Sequence, residues 1–501
     1  MKIALICTEK LPVPPIAGGA IQIYIEGILP ELSKYHDVTV FSVKHDSLPD
    51  EEVINGVKYI RVSTSEEDKN EYIRNVKLRL NEDYDLVHVF NRPRWVVSLS
   101  KRLPKTKFSL SLHNEMFNTK KIPADMAIAC INRVEFISTV SKFIADGVRK
   151  LYPIANNKLH TVYSGVSVDL YKPVISIEGA QNKINLKRKF GIEDKKVVIF
   201  VGRLSVKKGV DKLVDTMKIV MGLRSDVALV VVGSKWYGAN TEDKYTQSIV
   251  NSSKMLNGPI VFTGFLPPSE IPAYYNMGDV FVCPSQWEEP LARVHYEAMA
   301  AGLPIVTTNR GGNAEVVKGF GNGFVIDDFS NPEAFATRII ELLDNPLKAS
   351  EMGLKGRAIA EKKYNWNRVA DDVLSLFKGT KNSVMVEESV DVKETVDVKE
   401  TVDVKEPEPI FAEESVDVEE QNKVKKLKIT KKSGKVKKIE YAPKITKAEG
   451  IYIIPKSKKP VKVFEPEDEV IEVVQRKRRS YDPSIPPIVA YYLEKCKHYL
   501  D

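Results

Sequence analysis

The sequence has few cysteines, no long apolar run and no metal-binding spacing. Only four cysteines occur among its 501 residues, and none stands in a Cys-x-x-Cys pair or near histidine at zinc spacing. We therefore expect buried, unpaired thiols and no metal centre. No apolar run reaches the roughly 18 to 20 residues that a membrane-spanning helix needs, so no transmembrane segment is expected.

The N-terminus lacks the features of a secretion signal. The apolar stretch Met1–Cys7 is short, and Thr8–Lys10 follows where a signal peptide has small residues and a cleavage site. Met1–Cys7 therefore indicates a buried first strand. The chain is expected to stay in the cytoplasm or to reach its destination without the general secretion route.

A large excess of one charge is also missing from most of the chain. The formal net charge is +8, but residues 383–422 are acidic, residues 423–462 are basic, and the two segments nearly cancel. The remaining excess lies largely in the front part, where a nucleotide diphosphate is a sufficient anionic partner. Arg476–Arg479 resembles an anion-binding patch, as any basic linker would, so no nucleic-acid partner is expected.

Up to about Lys378, short apolar runs alternate with amphipathic stretches, a pattern typical of parallel sheets covered by helices. Strands are expected at Lys2–Cys7, Asp37–Val43, Leu86–Phe90, Lys107–Leu112, Phe136–Val140, Val197–Gly202, Val227–Gly233, Ile260–Thr263, Val280–Cys283 and Pro304–Thr307. Helices are expected at Ile21–Tyr35, Lys142–Leu151, Gly209–Arg224 and Val294–Ala301. The fold class is therefore α/β, with doubly wound sheets before and after Gly165–Lys187.

The composition changes abruptly after Lys381. The six residues Val390–Thr395 repeat from Val396, and a polar repeat of this length cannot bury a core. Residues 381–501 are therefore expected to be a largely disordered, charged, low-complexity tail that tethers the protein. Within the tail, Lys423–Lys462 is either solvated coil or pairs transiently, and Ile485–Leu500 is apolar enough for a short docking helix.

Gly18 and Gly19 lie between the first strand and the first helix. Paired glycines let backbone N–H groups approach an anion at a helix N-terminus. The pattern is not Gly-x-Gly-x-x-Gly, so a dinucleotide site is not supported, and an ordinary turn is the alternative.

Arg203 and Lys208 flank a turn that follows the strand Val197–Gly202 and opens the next helix. Two cations in this place suit a diphosphate, with Arg203 forking onto oxygens and Lys208 acting as a point charge. Two solvated surface cations are the alternative.

Glu289 and Glu297 are separated by seven residues across a loop-to-helix junction, and Pro290 suits a helix start. One carboxylate can bind sugar hydroxyls and the other ribose hydroxyls, with a phosphate between them. Backbone N–H groups that would face this ligand belong to Leu291, Ala292, Arg293 and Val294. After the next strand, Gly311 and Gly312 form a glycine turn at a sheet edge where ligands bind, although an ordinary turn is the alternative.

These motifs together resemble the donor-site signature of the retaining glycosyltransferases of family 4. The resemblance covers residues 1–378 and rests on Arg203…Lys208, Glu289-x7-Glu297, Gly311-Gly312-x-x-Glu315 and, on the acceptor side, Gly18-Gly19, His88, His113 and Val162–Asp169. Several segments are also similar to the spore-coat subgroup of that family: Thr8–Ile23, Asn91–Pro93, Leu112–Phe117, Gly233–Gly238 and Ser285–Gly312.

The resemblance implies a GT-B fold, in which two Rossmann-like domains face a cleft. Residues 1–165 would form the acceptor-side domain and residues 166–360 the domain that binds the nucleotide sugar. A final helix, at about residues 361–377, would cross back to the first domain.

The resemblance also implies roles for single residues. Arg203 and Lys208 would neutralise the leaving diphosphate, Glu289 would hold hydroxyls of the donor sugar, and Glu297 would hold the ribose. His113 would lie beside the sugar as a polar contact in an oxocarbenium-like transition state, or it is a buried structural histidine. His88 is interpreted as structural.

The sequence departs from the family pattern at the donor pocket. Leu291-Ala292 replaces Phe-Gly, and Arg293, which follows, is either an added diphosphate contact or a solvated residue. Ser234–Gly238 replaces a small glycine loop, and Ser164 replaces asparagine before Gly165. The identity of the sugar is therefore not implied. No Asp-x-Asp motif ends a strand, so neither a metal nor another cofactor is expected.

The function expected from these features is retaining transfer of a hexose from a UDP- or GDP-sugar to a cell-envelope or spore-coat acceptor: a polysaccharide, a lipid or a protein. One alternative is a sugar-nucleotide epimerase or a phosphorylase of the same fold. Another is a structural component assembled on the spore coat, with little or no turnover, which binds coat proteins through the tail.

Overall fold

The computed structural model describes residues 1–65, 67–68, 70–234, 243–382, 446–448 and 451–454 of the chain. Within these residues the chain forms two eight-stranded sheets, which confirms the α/β fold class. All strands and helices predicted before residue 310 are present, with their ends moved by a few residues. The acidic repeat from Val390 and the predicted docking helix Ile485–Leu500 lie outside the described residues.

The first sheet and its helices come from the first part of the chain. Its strands are β1 (Lys2–Ile6), β2 (Asp37–Val43), β3 (Glu51–Ile54), β4 (Val57–Val62), β5 (Leu86–Phe90), β6 (Lys107–Leu112), β7 (Val134–Thr139) and β8 (Leu159–Thr161). Its helices are α1 (Ala20–Leu32), α2 (Glu71–Arg79), α3 (Pro93–Ser100), α4 (Ala124–Arg133) and α5 (Lys142–Leu151), with a 3-10 helix at Pro153–Lys158. The spatial order is β3-β4-β2-β1-β5-β6-β7-β8, and only β3 and β4 pair antiparallel.

The second sheet is built in the same way. Its strands are β9 (Lys196–Val201), β10 (Val227–Val232), β11 (Ile260–Phe262), β12 (Val280–Cys283), β13 (Ile305–Thr308), β14 (Gly323–Ile326), β15 (Thr446–Ala448) and β16 (Ile451–Ile454). Its helices are α6 (Ile177–Lys189), α7 (Val210–Leu223), α8 (Lys244–Ser253), α9 (Ile271–Tyr275), α10 (Val294–Ala300), α11 (Pro332–Asp344) and α12 (Pro346–Lys363), with 3-10 helices at Val206–Lys208 and Asn313–Val316. The order is β14-β13-β12-β9-β10-β11-β16-β15.

The tail contributes two strands at one end of the second sheet. β16 pairs antiparallel with β11 and with β15, which is the edge strand, whereas the other strands of this sheet are parallel. Both β15 and β16 lie in the basic block Lys423–Lys462, so the described part of that block pairs with the sheet and is not solvated coil.

Burial explains why the central strands read as continuous apolar runs. Every residue of β10 is buried, because a parallel sheet in this fold has helices on both faces. Cys7, Cys130 and Cys283 are buried and free, which confirms the expectation for these three thiols. Cys496 lies outside the described residues.

The hairpin β3–β4 was not predicted, although its turn carries a local signal. Asn55 and Gly56 both have positive φ angles, 52° and 79°, as the two central residues of a type I′ turn do. An Asn-Gly pair between two extended segments is typical of such a hairpin.

Both sheets reverse their order at one point. In the first sheet, β2 lies on one side of β1 and β5 lies on the other. In the second sheet, β10 and β12 lie in the same way on either side of β9. Loops after the strands on either side of such a point diverge and leave a crevice, in which open α/β sheets bind their ligands. The topology therefore predicts where each half contributes to a site.

The predicted crossing helix 361–377 is interrupted at its start. Helix α12 ends at Lys363, and the last described helix, α13 (Trp366–Asn382), begins after Tyr364 and Asn365. The break arises because the Tyr364 carbonyl accepts a hydrogen bond from the Val166 N–H (2.7 Å), while Asn365 Oδ1 caps α13 by accepting from the Arg368 N–H (2.9 Å).

Helix α13 packs against α1 of the first half, where Val369, Val373 and Phe377 join one buried core cluster. The Trp366 ring fills the space above Gly27, since a Cβ built on that glycine would lie 2.2 Å from it. The end of the second half is thereby anchored on the first.

Candidate active site

A cleft of about 670 Å³ lies where the two reversal points face each other. Loops that follow β1, β5 and β6 line one wall, with Thr8, Asn91 and His113 among their residues. Loops that follow β9 and β12 line the other wall, which includes Arg203, Lys208, Glu289 and Glu297. The structure thus brings together most of the residues singled out in the sequence.

Glu289 lies in the loop between β12 and α10 with its side chain largely buried. Its Oε2 accepts hydrogen bonds from Lys208 Nζ (2.6 Å), Trp287 Nε1 (2.8 Å) and Ser285 Oγ (3.2 Å). Burial raises the pKa of Glu289, but the Lys208 charge and these bonds outweigh burial, so the pKa lies below its ordinary value. In the described chain all three donors go to Oε2, which leaves Oε1 for a ligand.

Lys208 ends the 3-10 helix Val206–Lys208, which follows β9 and Arg203. The next residue, Gly209, has a φ of 69°, and a Cβ there would lie 2.1 Å from the Pro284 carbonyl oxygen. This close approach brings Lys208 beside Glu289. An ammonium group has three protons, so Lys208 can bind Glu289 and a phosphate oxygen together. Arg203 lines the same wall.

Glu297 lies in α10, and Tyr275 in α9 orients it. The Tyr275 hydroxyl donates to Glu297 Oε2 (2.9 Å), and Arg293 Nη2 lies 3.7 Å from Oε1. Helix α10 begins at Val294, as the predicted range Val294–Ala301 has it, so Pro290 does not start the helix. Residues 290–293 form a loop. The Ala292 N–H in this loop already donates to Asn313 Oδ1 (3.1 Å), so it is not available to a ligand.

Arg293 is not a solvated residue, since its side chain is only 14% exposed. Its Nη1 donates to Ser164 Oγ (3.1 Å) and to the Gly165 carbonyl (3.0 Å), and its guanidinium lies over the Trp366 ring. Arg293 lines the cleft beside Leu291 and Val294, but most of its contacts tie α10 to the segment after β8.

His113 is buried, as in the structural interpretation, while a contact between His113 and the sugar stays a prediction. It lines the cleft, yet it is 9% exposed, with Nε2 3.2 Å from Ser111 Oγ. Burial, and secondly the charge of Arg293, lower the pKa of His113 to about 3, so its imidazole is neutral at physiological pH. His88 is buried with Nδ1 at 2.7 Å from Ser109 Oγ, consistent with a structural residue.

Gly18 and Gly19 line the cleft at the N-terminus of α1. Gly19 has a φ of 102°, and a Cβ there would lie 2.3 Å from Gln22 Oε1. No side chain caps this helix. Its first N–H groups and its dipole therefore favour a negatively charged ligand.

Gly311 and Gly312 lie behind the wall of the cleft, and not among the described residues that line it. A Cβ on Gly311 would lie 2.0 Å from the Glu289 carbonyl oxygen, and the Gly312 N–H donates to that same oxygen (2.8 Å). The expectation that these glycines contact the donor is corrected, since they support the backbone that carries Glu289.

Sequence reasoning missed Trp287, Ser285 and Tyr275. Trp287 and Ser285 lie within the segment that was noted, so their closeness to Glu289 was a usable signal. Tyr275 comes from a separate five-residue helix, and nothing in the sequence links it to Glu297.

The described residues include no helix long and apolar enough to cross a bilayer. They also include no group of three or more histidine, cysteine, aspartate or glutamate side chains that could hold a metal ion.

Comparison with known proteins agrees with this arrangement. Residues 18–170 match the model of Glycosyltransferase Family 4, and residues 182–359 match that of Glycosyl transferases group 1. The chain is 45% identical over 378 residues to spore coat protein SA of Bacillus subtilis, covering 75% of this chain and 99% of that protein. The chain belongs to glycosyltransferase family 4.

Further relatives of this family 4 glycosyltransferase are consistent with the assignment. The putative glycosyltransferase YtcC of Bacillus subtilis is 41% identical over 379 residues, which cover 75% of this chain and 92% of the relative. Among solved structures, HepE of Anabaena in complex with UDP-glucose superposes with a TM-score of 0.62 at 18% identity, covering 76% of this chain and all of that one. The glycosyltransferase therefore has the GT-B fold.

Proposed function

We propose that this glycosyltransferase transfers a hexose from a UDP- or GDP-sugar to a cell-envelope or spore-coat acceptor with retention of configuration. The observation that carries the proposal is the Lys208–Glu289 pair beside Arg203 at the reversal point of the second sheet. It supports the proposal because two cations suited to a diphosphate line one cleft wall together with a carboxylate suited to sugar hydroxyls.

In the proposed reaction the bond between the anomeric carbon and the diphosphate breaks while the acceptor oxygen bonds to that carbon. Arg203 and Lys208 stabilise the charge that develops on the leaving oxygen. Glu289 Oε1 accepts from sugar hydroxyls, Glu297 binds the ribose, and the α1 N-terminus at Gly18 and Gly19 adds N–H donors. These cations can meet the charge without a metal or another cofactor.

Retention is supported by the residues of the cleft wall that the loops after β1, β5 and β6 form. Among the described residues of that wall none is aspartate or glutamate, so no second carboxylate faces the sugar as a nucleophile or base. The nearest acceptor for the proton of the incoming hydroxyl is then the leaving diphosphate, which lies on the same face of the sugar. Neutral His113 contributes a polar contact beside the reacting carbon.

The test is a donor panel of UDP-glucose, UDP-galactose, UDP-N-acetylglucosamine and GDP-mannose, with released diphosphate as the readout. We expect slow hydrolysis of one donor, unchanged by EDTA, and a product with the anomeric configuration of the donor by NMR. An inverted product would refute retention. Failure of UDP and of GDP to bind would favour the alternative of a coat component without turnover.

The wall formed by the loops after β1, β5 and β6, which we call the acceptor wall, suggests the chemistry of the acceptor. Its charged residues are Lys10, Arg92 and Lys121, and only Arg92 is paired within the described chain, through Nη2 at 2.7 Å from Glu9 Oε1. The backbone of Lys121 is held in place, because Arg94 Nη2 donates to the Lys121 carbonyl (3.2 Å). This wall favours envelope acceptors that carry phosphate or carboxylate groups.

Replacing both Lys10 and Lys121 by glutamine is expected to weaken binding of an anionic acceptor analogue by about tenfold, since two charge-assisted contacts are lost. Isothermal titration of glucose 6-phosphate into the UDP-saturated protein measures this affinity, with glucose as the uncharged comparison. UDP affinity should not change, and Lys101→Gln, on the exposed end of α3, is the matched control. Equal affinities of the variant and the parent for glucose 6-phosphate would refute the anionic acceptor.

A further inference from the structure

The segment from Gly312 to Glu315 makes hydrogen bonds in two directions. One direction is toward residues 289–292, which we call the donor loop. There the Gly312 N–H donates to the Glu289 carbonyl (2.8 Å), and Asn313 Oδ1 accepts from the Ala292 N–H (3.1 Å). These two residues, Gly312 and Asn313, hold both ends of the stretch from Glu289 to Ala292. The donor loop and this segment are therefore bonded to each other at two places.

Toward the first half, the segment ends in a carboxylate that binds α5. Glu315 Oε2 accepts from the Lys142 N–H and Oε1 from the Phe143 N–H, both at 2.8 Å. Oε2 also accepts from the Tyr163 hydroxyl at 2.8 Å. The next N–H of α5, that of Ile144, goes to its own cap Ser141 Oγ (3.3 Å).

These contacts form a charge-assisted helix cap supplied by a residue distant in sequence. The first N–H groups of a helix have no partner within it, and the helix dipole favours a carboxylate there. Helix α5 lies in the first half of the molecule, between β7 and β8, and Glu315 lies in the second half, between β13 and β14. The cap is therefore a link between the two walls of the cleft.

The link has little freedom, because the two halves touch at Gly312. A Cβ on that glycine would lie 2.2 Å from the Pro290 carbonyl oxygen and 2.9 Å from Ser141 Cβ. The backbone of the donor loop, the segment 312–315 and the start of α5 are thus stacked in direct contact. A displacement of α5 relative to the second sheet is transmitted to Glu289.

We propose that Glu315 is a positioning residue that sets the donor loop, and with it Glu289, relative to the first half of the molecule. The inference goes beyond the proposed donor chemistry and rests on it only for the catalytic readout. Glu315 lies outside the cleft lining of the described chain, so it acts on the reaction through Gly312 and Glu289 and not by touching the substrate.

The decisive variant is Glu315→Gln in the full-length protein. Glutamine keeps the shape of the side chain, but its NH2 group cannot accept from Lys142 or Phe143. Hydrogen exchange of the peptide covering residues 141–151 should become at least tenfold faster at its first amides. The turnover number should fall about tenfold, while the dissociation constant of UDP stays within twofold, because the groups that bind the nucleotide are untouched.

Glu178→Gln is the matched control, because Glu178 also lies in the first turn of a helix of the second half but is exposed there. It should change neither exchange nor turnover. Tyr163→Phe should slow turnover two- to threefold alone and have no further effect in the Glu315→Gln background, since both act through one carboxylate.

Unchanged exchange of residues 141–151 in Glu315→Gln would refute the cap. Faster exchange with an unchanged turnover number would refute the positioning role. If the parent protein binds no nucleotide and hydrolyses no donor, the proposed donor site is wrong, and the exchange measurement still decides whether Glu315 links the two halves.

Discussion

Glu289→Gln is expected to slow sugar transfer by about a hundredfold while changing the dissociation constant of UDP by less than about threefold. In the parent, Glu289 Oε2 receives three donors, and Oε1 is left to accept from the donor sugar. A glutamine has one acceptor oxygen for both tasks. If that oxygen stays with Lys208, the NH2 group faces the sugar and cannot accept from its hydroxyls.

The effect belongs to the transition state because sugar contacts strengthen as the anomeric carbon gains positive charge. Arg203 and Lys208, the proposed ligands of the diphosphate, remain in this variant, so nucleotide affinity is expected to be largely kept. Turnover numbers and a UDP titration of the same preparation measure the two quantities. Glu270→Gln, at an exposed glutamate before α9, is the control. A variant with parental turnover would exclude Glu289 from the reaction.

Lys208→Met is expected to lower the stability of the fold by about 3 kcal/mol, because it leaves the Glu289 carboxylate buried without its cation. The two side chains are only 17% and 10% exposed, so solvent compensates little. For a half of this size the loss corresponds to a fall of roughly 6–12 °C in the midpoint of thermal unfolding. The double variant Lys208→Met/Glu289→Met should recover most of it, since no buried charge remains.

The loss should depend on pH in a defined direction. The parent holds the pKa of Glu289 below its ordinary value, with Lys208 as the main opposing influence to burial. That stabilisation is present above the unfolded pKa and disappears as pH falls through the folded pKa. Without Lys208, burial raises the pKa of Glu289, and the variant is penalised more as pH rises. The difference between variant and parent is therefore expected to be larger at pH 8 than at pH 5.

Lys207→Met is the matched control for this prediction. Lys207 precedes Lys208 in the same 3-10 helix, is exposed, and stacks over the Trp287 ring at 4.5 Å. Its loss should cost less than about 1 kcal/mol. Equal losses for both lysines, or no recovery in the double variant, would contradict the buried pair.

Periodicity predicted the central strands well but not the elements at the periphery. Strands such as β10 are buried along their whole length, so their apolar runs are unambiguous. The edge strand β3 and the turn at Asn55 and Gly56 are largely exposed, and only the turn signals the hairpin. The break at Tyr364–Asn365 has one local cause, the Asn365 cap of α13, but the hydrogen bond from the Val166 N–H to the Tyr364 carbonyl comes from a residue distant in sequence.

In the site, too, local spacing predicted some features and failed for those that depend on distant segments. Spacing within one motif placed Glu289 and Glu297 on the same wall, because a loop and a short helix keep such residues near each other. The glycines after β13 were expected to contact the donor, yet they support its loop from behind. Spacing along the chain does not say which side of a loop faces a neighbouring segment.

Strand periodicity and short motifs are local properties of a chain. They are therefore enough to predict the two α/β halves, their order, the family, and the cationic and acidic residues of the second wall. Three contacts are visible only in the folded chain: Lys208 pairs with Glu289, Arg293 binds the segment after β8, and Glu315 caps α5. Each of these contacts joins residues more than 80 positions apart. The first depends on which strands are neighbours in the second sheet, and the third depends on how the two halves pack.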